Sequence, residues 1–318
     1  MSAVSRRVLH GILAAASLAF GRAEACSVCG CGDPLLATND PAAINGRLRF
    51  QLDTEYLRMD AGTDGRPGYT DKLTQWSYRL NAVYRPLDNL SVTTTVPLAY
   101  KTIHTVGGGT DVADSGLTGL GDVELGARYA FFTKVSFAAR RVQELAVSVG
   151  SSFPTGEYNA KAADGTLIDP HGQLGTGAYG PFAGLHYRFE QGEFSAFASV
   201  SYRLRTVATY FDGSRYKFGD AFLWSVHGQY LVAKGLSIDL GIDGRYARVD
   251  TAADAGVAGL STVESTGGTV LSAAPGVYLN AVSSVWLFVR AQVPFYQGLF
   301  GQQQVYPSFT TGLQFQAF

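Results

Sequence analysis

From about Arg47 onward, hydrophobic and polar residues alternate along the chain with a period of two. In "LRFQLDTEYL", Leu48, Phe50, Leu52, Thr54 and Tyr56 share one parity, and Arg49, Gln51, Asp53 and Glu55 the other. Successive side chains of a strand point to opposite faces, so this stretch has an apolar face and a strongly polar one. "LSVTTTVPLAYK" repeats the scheme, with Leu90, Val92, Thr94, Val96, Leu98 and Tyr100 against Ser91, Thr93, Thr95 and Lys101. "LSIDLGIDGRYARV" sets Leu236, Ile238, Leu240, Ile242 and Tyr246 against Ser237, Asp239, Asp243 and Arg245. A soluble sandwich alternates too.

Three features separate this pattern from a sandwich. The alternating runs last about ten residues or more, against ~5–6 for strands of globular proteins. Short connections such as "PLDN", "EQGE" and "AKG" take turns with long polar ones, "DAGTDGRPGYTDK", "VGGGTDVADSGLTG", "EYNAKAADGTLIDPHGQLG" and "DTAADAGVAGLSTVESTGG". Aromatic residues gather at strand ends: Tyr84, Tyr100, Tyr129, Phe131, Tyr187, Phe189, Tyr202, Tyr230 and Tyr246. Together these predict an all-β fold, a transmembrane antiparallel up-and-down β-barrel of about twelve strands. The strands fall near Leu48–Arg58, Leu73–Arg85, Leu90–Ile103, Gly121–Phe132, Leu145–Pro154 and Tyr179–Phe189, then Phe194–Thr206, Ala221–Val232, Leu236–Val249, Thr269–Asn280, Val285–Tyr296 and Val305–Phe318. "TKVSFAARRVQ" is long for a periplasmic turn. An even strand number puts both barrel ends of the chain on the periplasmic side.

Composition agrees with strands rather than membrane helices. Hydrophobic residues make up 46% of the 318, but they are diluted by polar neighbours and form none of the ~18-residue runs a helical span needs. A net charge of −1 offers no basic footprint, so nucleic acid is not expected as a partner. Residues 1–25 read as a cleaved signal peptide: Arg6 and Arg7, an apolar Val8–Phe20 segment and an Ala23-Glu24-Ala25 cleavage site. "SRRVLH" has a twin-arginine look, but a barrel chain must cross the inner membrane unfolded. The expected organisation is therefore a signal peptide, a cysteine-containing periplasmic tail or plug over 26–46, and an outer-membrane barrel over 47–318.

"SGLTGLGDVELGARYAFF" (Ser115–Phe132), followed by "LAVSVGSSFPTGEYN" (Leu145–Asn159), resembles the GLGD…PTG pattern of an outer-membrane family labelled for the MetA pathway of phenol degradation and often called "transporter". The matching residues are Gly119, Leu120, Gly121 and Asp122, then Pro154, Thr155 and Gly156. The resemblance implies a barrel associated with uptake of small, often aromatic or apolar molecules, and supplies no catalytic residues. Gly119 and Gly121 are expected to ease the chain out of a loop into a curved strand. Asp122, Glu124 and Arg128 then point inward, with Val123, Leu125, Ala127 and Tyr129 toward lipid.

Collected by parity, the predicted lumen carries Arg49, Arg79, Arg128, Arg188, Arg203, Arg205, Arg245 and Arg290 with Asp53, Glu55, Asp122, Glu124, Asp239 and Asp243. This is either a solute pathway with an internal field or a salt-bridged core filling a narrow barrel. Charges must point inward in both, since one on the lipid face at mid-membrane costs ~2–4 kcal/mol. Phe182, Trp286 and Phe288 also fall inward, and His186 and His227 look like single lumen histidines. "GTGAYG" (Gly175–Gly180) matches G-x-G-x-x-G but opens a strand, not the helix that phosphate binding needs.

Cys26, Cys29 and Cys31 form C-x-x-C-x-C before Asp33. Without a following His this is no haem attachment. One disulfide with a thiol left over, a soft-metal site for Cu(I) or Zn(II) with Asp33 or the Cys26 amine as fourth ligand, and lipid attachment at Cys26 are the open readings. The expected function is an outer-membrane channel for a small solute, not an enzyme. Its expected partners are membrane lipid, that solute and a periplasmic protein. The alternatives are a structural or partner-binding barrel serving a periplasmic metal- or electron-handling complex, and a lipid-hydrolysing barrel, for which no motif speaks.

Overall fold

The computed structural model describes residues 47–62, 68–107, 110–162, 165–282 and 284–317. The signal-peptide segment, Cys26, Cys29, Cys31 and Asp33 lie outside the described residues.

The elements are β1 (Leu48–Gly62), β2 (Tyr69–Leu87), β3 (Leu90–Gly107), β4 (Thr110–Leu120), β5 (Val123–Ser136), β6 (Arg141–Phe153), β7 (Gly180–Gln191), β8 (Phe194–Arg203), β9 (Ala208–Thr209), β10 (Arg215–Lys217), β11 (Ala221–Ala233), β12 (Leu236–Ala247), β13 (Thr251–Ala253), β14 (Ser261–Thr262), β15 (Gly268–Val282), β16 (Val285–Leu299), β17 (Gln303–Val305) and β18 (Ser308–Ala317). Around the barrel each strand is antiparallel and hydrogen-bonded to its neighbours, in the order β1-β18-β16-β15-β12-β11-β8-β7-β6-β5-β3-β2, and β1 closes the ring by pairing β2 on one side and β17 and β18 on the other. Two barrel strands are built in pieces. β4 and β5 pair successive halves of β3, with Gly121 and Asp122 between them, and β17 and β18 do the same along β1. The result is a closed antiparallel barrel of twelve strands. Closure through β1 joins the two ends of the barrel sheet, as a sheet surrounded by lipid requires.

The register turns the sequence alternation into two surfaces. Asp53 stands opposite Arg79, and Leu52 opposite Leu80. Asp53 and Arg79 are buried, whereas Leu52 and Leu80 are each 48% exposed. Around the wall, Val149, Leu240, Val289 and Phe309 stay exposed in the same way. A soluble protein would bury such residues; here the covered face is polar and the exposed one is an apolar belt with Tyr84, Tyr129, Tyr202 and Tyr230 on it. The fold is that of a transmembrane β-barrel.

Several connections differ from the sequence expectation. Most of "VGGGTDVADSGLTG" is strand β4, and β1 and β2 run into "DAGTDGRPGYTDK". "TKVSFAARRVQ" is mostly strand, with a turn only at residues 137–140. In these stretches the strands carry too many polar and small residues on both faces for the period of two to show. The segments after β8 and β12 form a second sheet, β14-β13-β10-β9, at the end of the barrel where the long connections lie. Its core is Ala208, Tyr210, Tyr216 and Val263, joined by Ala178 and packed against Tyr158, Leu167 and Phe218.

Candidate functional site

Between β6 and β7, residues 154–162 and 165–179 form a strap that turns into the barrel instead of projecting from it. Ile168 and Gln173 are buried, and Gln173 and Leu174 face the same cavity as Arg79 and Glu124. Gln173 fixes the strap's own shape: its amide donates to the Ala160 and Ile168 carbonyls (3.0 and 2.9 Å) and accepts from the Ala160 N–H.

The strap is tied to the wall by the two motif fragments. Asp122 accepts the Gly156 N–H (3.1 Å), the Thr176 N–H (2.8 Å) and the Thr176 hydroxyl (2.6 Å). Thr155 accepts the Val123 N–H (2.8 Å) and donates to the Gly121 carbonyl (3.1 Å). GLGD and PTG are therefore the two sides of one knot, and the "GTG" at Gly175–Gly177 is its third strand of backbone. A Cβ on Gly156 would come within 2.7 Å of Gly175, so glycine is needed there for close approach. At Gly121 a Cβ would meet Pro97 at 3.1 Å and the Leu174 carbonyl at 3.2 Å, and at Gly119 the end of the Leu174 side chain at 2.9 Å, so both glycines also sit close against the strap.

On the far side the strap is latched by His171. Its Nδ1 faces Asp169 and its Nε2 faces Asp250 on the β12–β13 connection, both at 2.9 Å. Asp250 also accepts the Tyr216 hydroxyl (2.7 Å) and the Gly219 N–H (2.6 Å). Burial and the Asp250 charge raise the Tyr216 phenol well above its ordinary range, so it stays a neutral donor.

Below the strap the lumen is crossed by ion pairs. Arg79 binds Asp53 (2.6 Å) and Glu55 (2.9 Å), with Gln51 and Asn81 donating to the same Asp53. Arg203 on β8 reaches Glu124 on β5 at 2.6 Å, over the intervening β6 and β7. Arg128 pairs with Glu144 (2.5 Å) and Arg188 with Glu190 (2.5 Å). His227 lies between Asp239 at Nδ1 and Asp243 at Nε2, both at 2.9 Å, and stacks on Phe197 at 4.6 Å. Asp243 also accepts Gln292 (2.7 Å) and has Arg290 at 3.8 Å. Gly241 stands directly opposite His227, and a Cβ there would strike the ring.

The structure thus brings Asp53, Glu55 and Arg79 together, Glu124 with Arg203, and Asp239 with Asp243 and Arg290. Arg205 and Arg245 line the cavity, Arg49 is buried, and Asp122 serves the strap. Phe182 and Phe288 are buried inside, the latter stacked on Tyr278 at 5.7 Å, and Trp286 is half-buried. His186 is buried against Ser148 (2.8 Å). Parity alone missed Glu144 and Glu190 as partners, and it could not find His171 or Asp250, which lie outside the barrel strands. Lys101 stood on the polar parity of its strand, but its importance depends on the strap. Among the described residues no group of three or more His, Cys, Asp and Glu is placed to hold a metal ion.

No protein-family model matches the chain, and no curated protein matches it by sequence. Solved structures match its fold. The COG4313 outer membrane channel from Pseudomonas putida F1 aligns over 85% of this chain and 95% of its own, at 14% identity and a TM-score of 0.62. The transport unit of the autotransporter AIDA-I from Escherichia coli aligns over 90% and 97%, at 9% identity and a TM-score of 0.50. At such identities the likeness is one of fold, that of outer-membrane β-barrels.

Proposed function

We propose that this protein is an outer-membrane channel for a small solute, with the strap setting the narrowest part of its path. The observation that carries the reading is the chamber of about 150 Å³ between the wall and the strap, lined by Gln75, Arg79, Lys101, Gln173, Leu174 and Arg245. A barrel built only as a membrane anchor has no need of a polar chamber at its mouth. The apolar belt supports the outer-membrane location, and the GLGD…PTG resemblance to the phenol-degradation transporter family supports a small and partly apolar solute. We assign Cys26, Cys29 and Cys31, with Asp33, to soft-metal binding, Cu(I) or Zn(II), on the periplasmic side of the barrel.

Single-channel recording of the refolded chain in planar bilayers tests the reading. Small, resolved conductance steps are expected. Silence, both for the wild type and after the strap is freed by Asp122→Ala, refutes it. Metal content of the purified protein tests the cysteine assignment, which fails if Cys26→Ser, Cys29→Ser and Cys31→Ser leave it unchanged. A second reading, a structural barrel docking a periplasmic protein, draws on the Arg203–Glu124 pair, which bridges β8 and β5 inside the barrel; silent bilayers would favour it.

A further inference from the structure

Lys101 on β3 is 94% buried, with 6% of its surface exposed. Its ammonium donates to the carbonyls of Gln173 (2.6 Å) and His171 (3.3 Å), both on the strap. Among the described residues no carboxylate is hydrogen-bonded to it; Asp169 on the strap is near enough to feel its charge. Lysine is almost never this buried without an acidic partner, because an uncompensated charge away from water costs several kcal/mol. An ammonium has three N–H donors, and two carbonyls leave one of them for another acceptor. Lys101 lines the chamber beneath the strap.

The rest of that chamber narrows the chemistry of the acceptor. Arg205 and Arg245 line it as well. Its three acids are already engaged: Glu124 by Arg203, Asp122 by the strap, and Asp250 by His171, Tyr216 and Gly219. Each carboxylate thus spends its acceptors on the protein, whereas Lys101 retains a donor. Leu174, Phe218, Leu223 and Ala247 supply an apolar side to the same space. A volume near 150 Å³ holds about one benzene-sized ring.

We infer that this chamber binds a small organic anion, a carboxylate held by Lys101 with a compact apolar body against Leu174, Phe218 and Leu223. The inference takes its physiological meaning from the channel reading, because the bound anion would be the solute on its way through. Its binding chemistry stands apart from conduction.

The test is calorimetric titration of the detergent-solubilised full chain with sodium benzoate, benzyl alcohol and sodium phosphate. Benzoate is expected to bind, benzyl alcohol and phosphate more weakly. Lys101→Met should weaken benzoate about ten- to a hundredfold, the worth of one charge-assisted hydrogen bond, and Lys101→Arg should retain most of it. No benzoate binding, or equal binding of benzyl alcohol or phosphate, overturns the inference. If Lys101→Met fails to fold, the three ligands on the wild type still decide. Benzoate binding without conductance would sink the channel reading alone. Conductance without benzoate binding would sink this inference alone.

Discussion

At the scale of single residues, His227 holds together charges that could not otherwise share the lumen wall. Asp239, Gly241 and Asp243 point inward from β12, the two acids flanking a glycine whose missing side chain makes room for the ring. Removing one partner of a buried ionic group is far costlier than never having built it, because the remaining charges lose their compensation. His227→Ala is therefore expected to destabilise the barrel by ~3–5 kcal/mol. The triple variant His227→Leu, Asp239→Asn, Asp243→Asn should regain part of that loss, since both carboxylates that His227 holds are neutralised while Arg290 loses Asp243. Denaturant unfolding in lipid vesicles reads both. An unchanged midpoint for His227→Ala would mean that water already screens the site.

At the scale of elements, the strap owes its position to few, identifiable bonds. Asp122→Ala removes three acceptor interactions at the knot, each a charge-assisted bond of ~1.5–3 kcal/mol, without touching the barrel ladder. Trypsin cleavage at Lys161, an exposed residue of the strap, should accelerate while the barrel's unfolding midpoint holds. An unchanged cleavage rate would place the strap's stability elsewhere. The neighbouring cap, formed by the second sheet β14-β13-β10-β9 and the residues that join it to the barrel strands, has its own pH dependence. Burial alone would raise the Asp220 carboxyl, but the Arg205 N–H and the Lys217 ammonium on it, with Arg248 nearby, hold it below the ordinary aspartate range. A depressed folded-state value stabilises at pH above the unfolded value of ~3.9 and loses that contribution as pH falls through the folded one. Amide exchange in the cap should thus quicken below about pH 4, and Asp220→Asn should show the faster exchange already at neutral pH. These two elements also mark where sequence reading ended. Period-two alternation exposed the barrel strands because one face meets lipid and the other the lumen, and it put Asp53, Arg79 and Asp239 on the inner parity. The strap obeys no period. Gln173 and His171 take their places through contacts with residues 70 to 79 positions away, at Lys101 and Asp250, which no local pattern encodes. The GLGD and PTG fragments were visible as text, but their meaning as one knot needed the third segment at Thr176.

At the scale of the whole molecule, the barrel reverses the usual arrangement of a folded chain, and the reversal makes a prediction that depends on depth. Leu240 is 65% exposed and stands near the middle of β12, between Gly228 on β11 and Pro275 on β15. Val257 is 51% exposed too, but it lies in the connection between β13 and β14. Accessible area alone ranks the two as similar sites, both tolerant of a polar replacement. If lipid covers the belt, they differ sharply. Arginine at the mid-membrane position then costs ~2–4 kcal/mol, whereas in the outer connection it costs ~0–1 kcal/mol. Leu240→Arg and Val257→Arg, unfolded side by side in vesicles, measure that difference directly. A large gap between them is the outcome expected of a chain solvated by lipid around its waist. Equal, small effects would mean that the belt is covered by something other than a bilayer, and the transmembrane placement of every strand would fall with it.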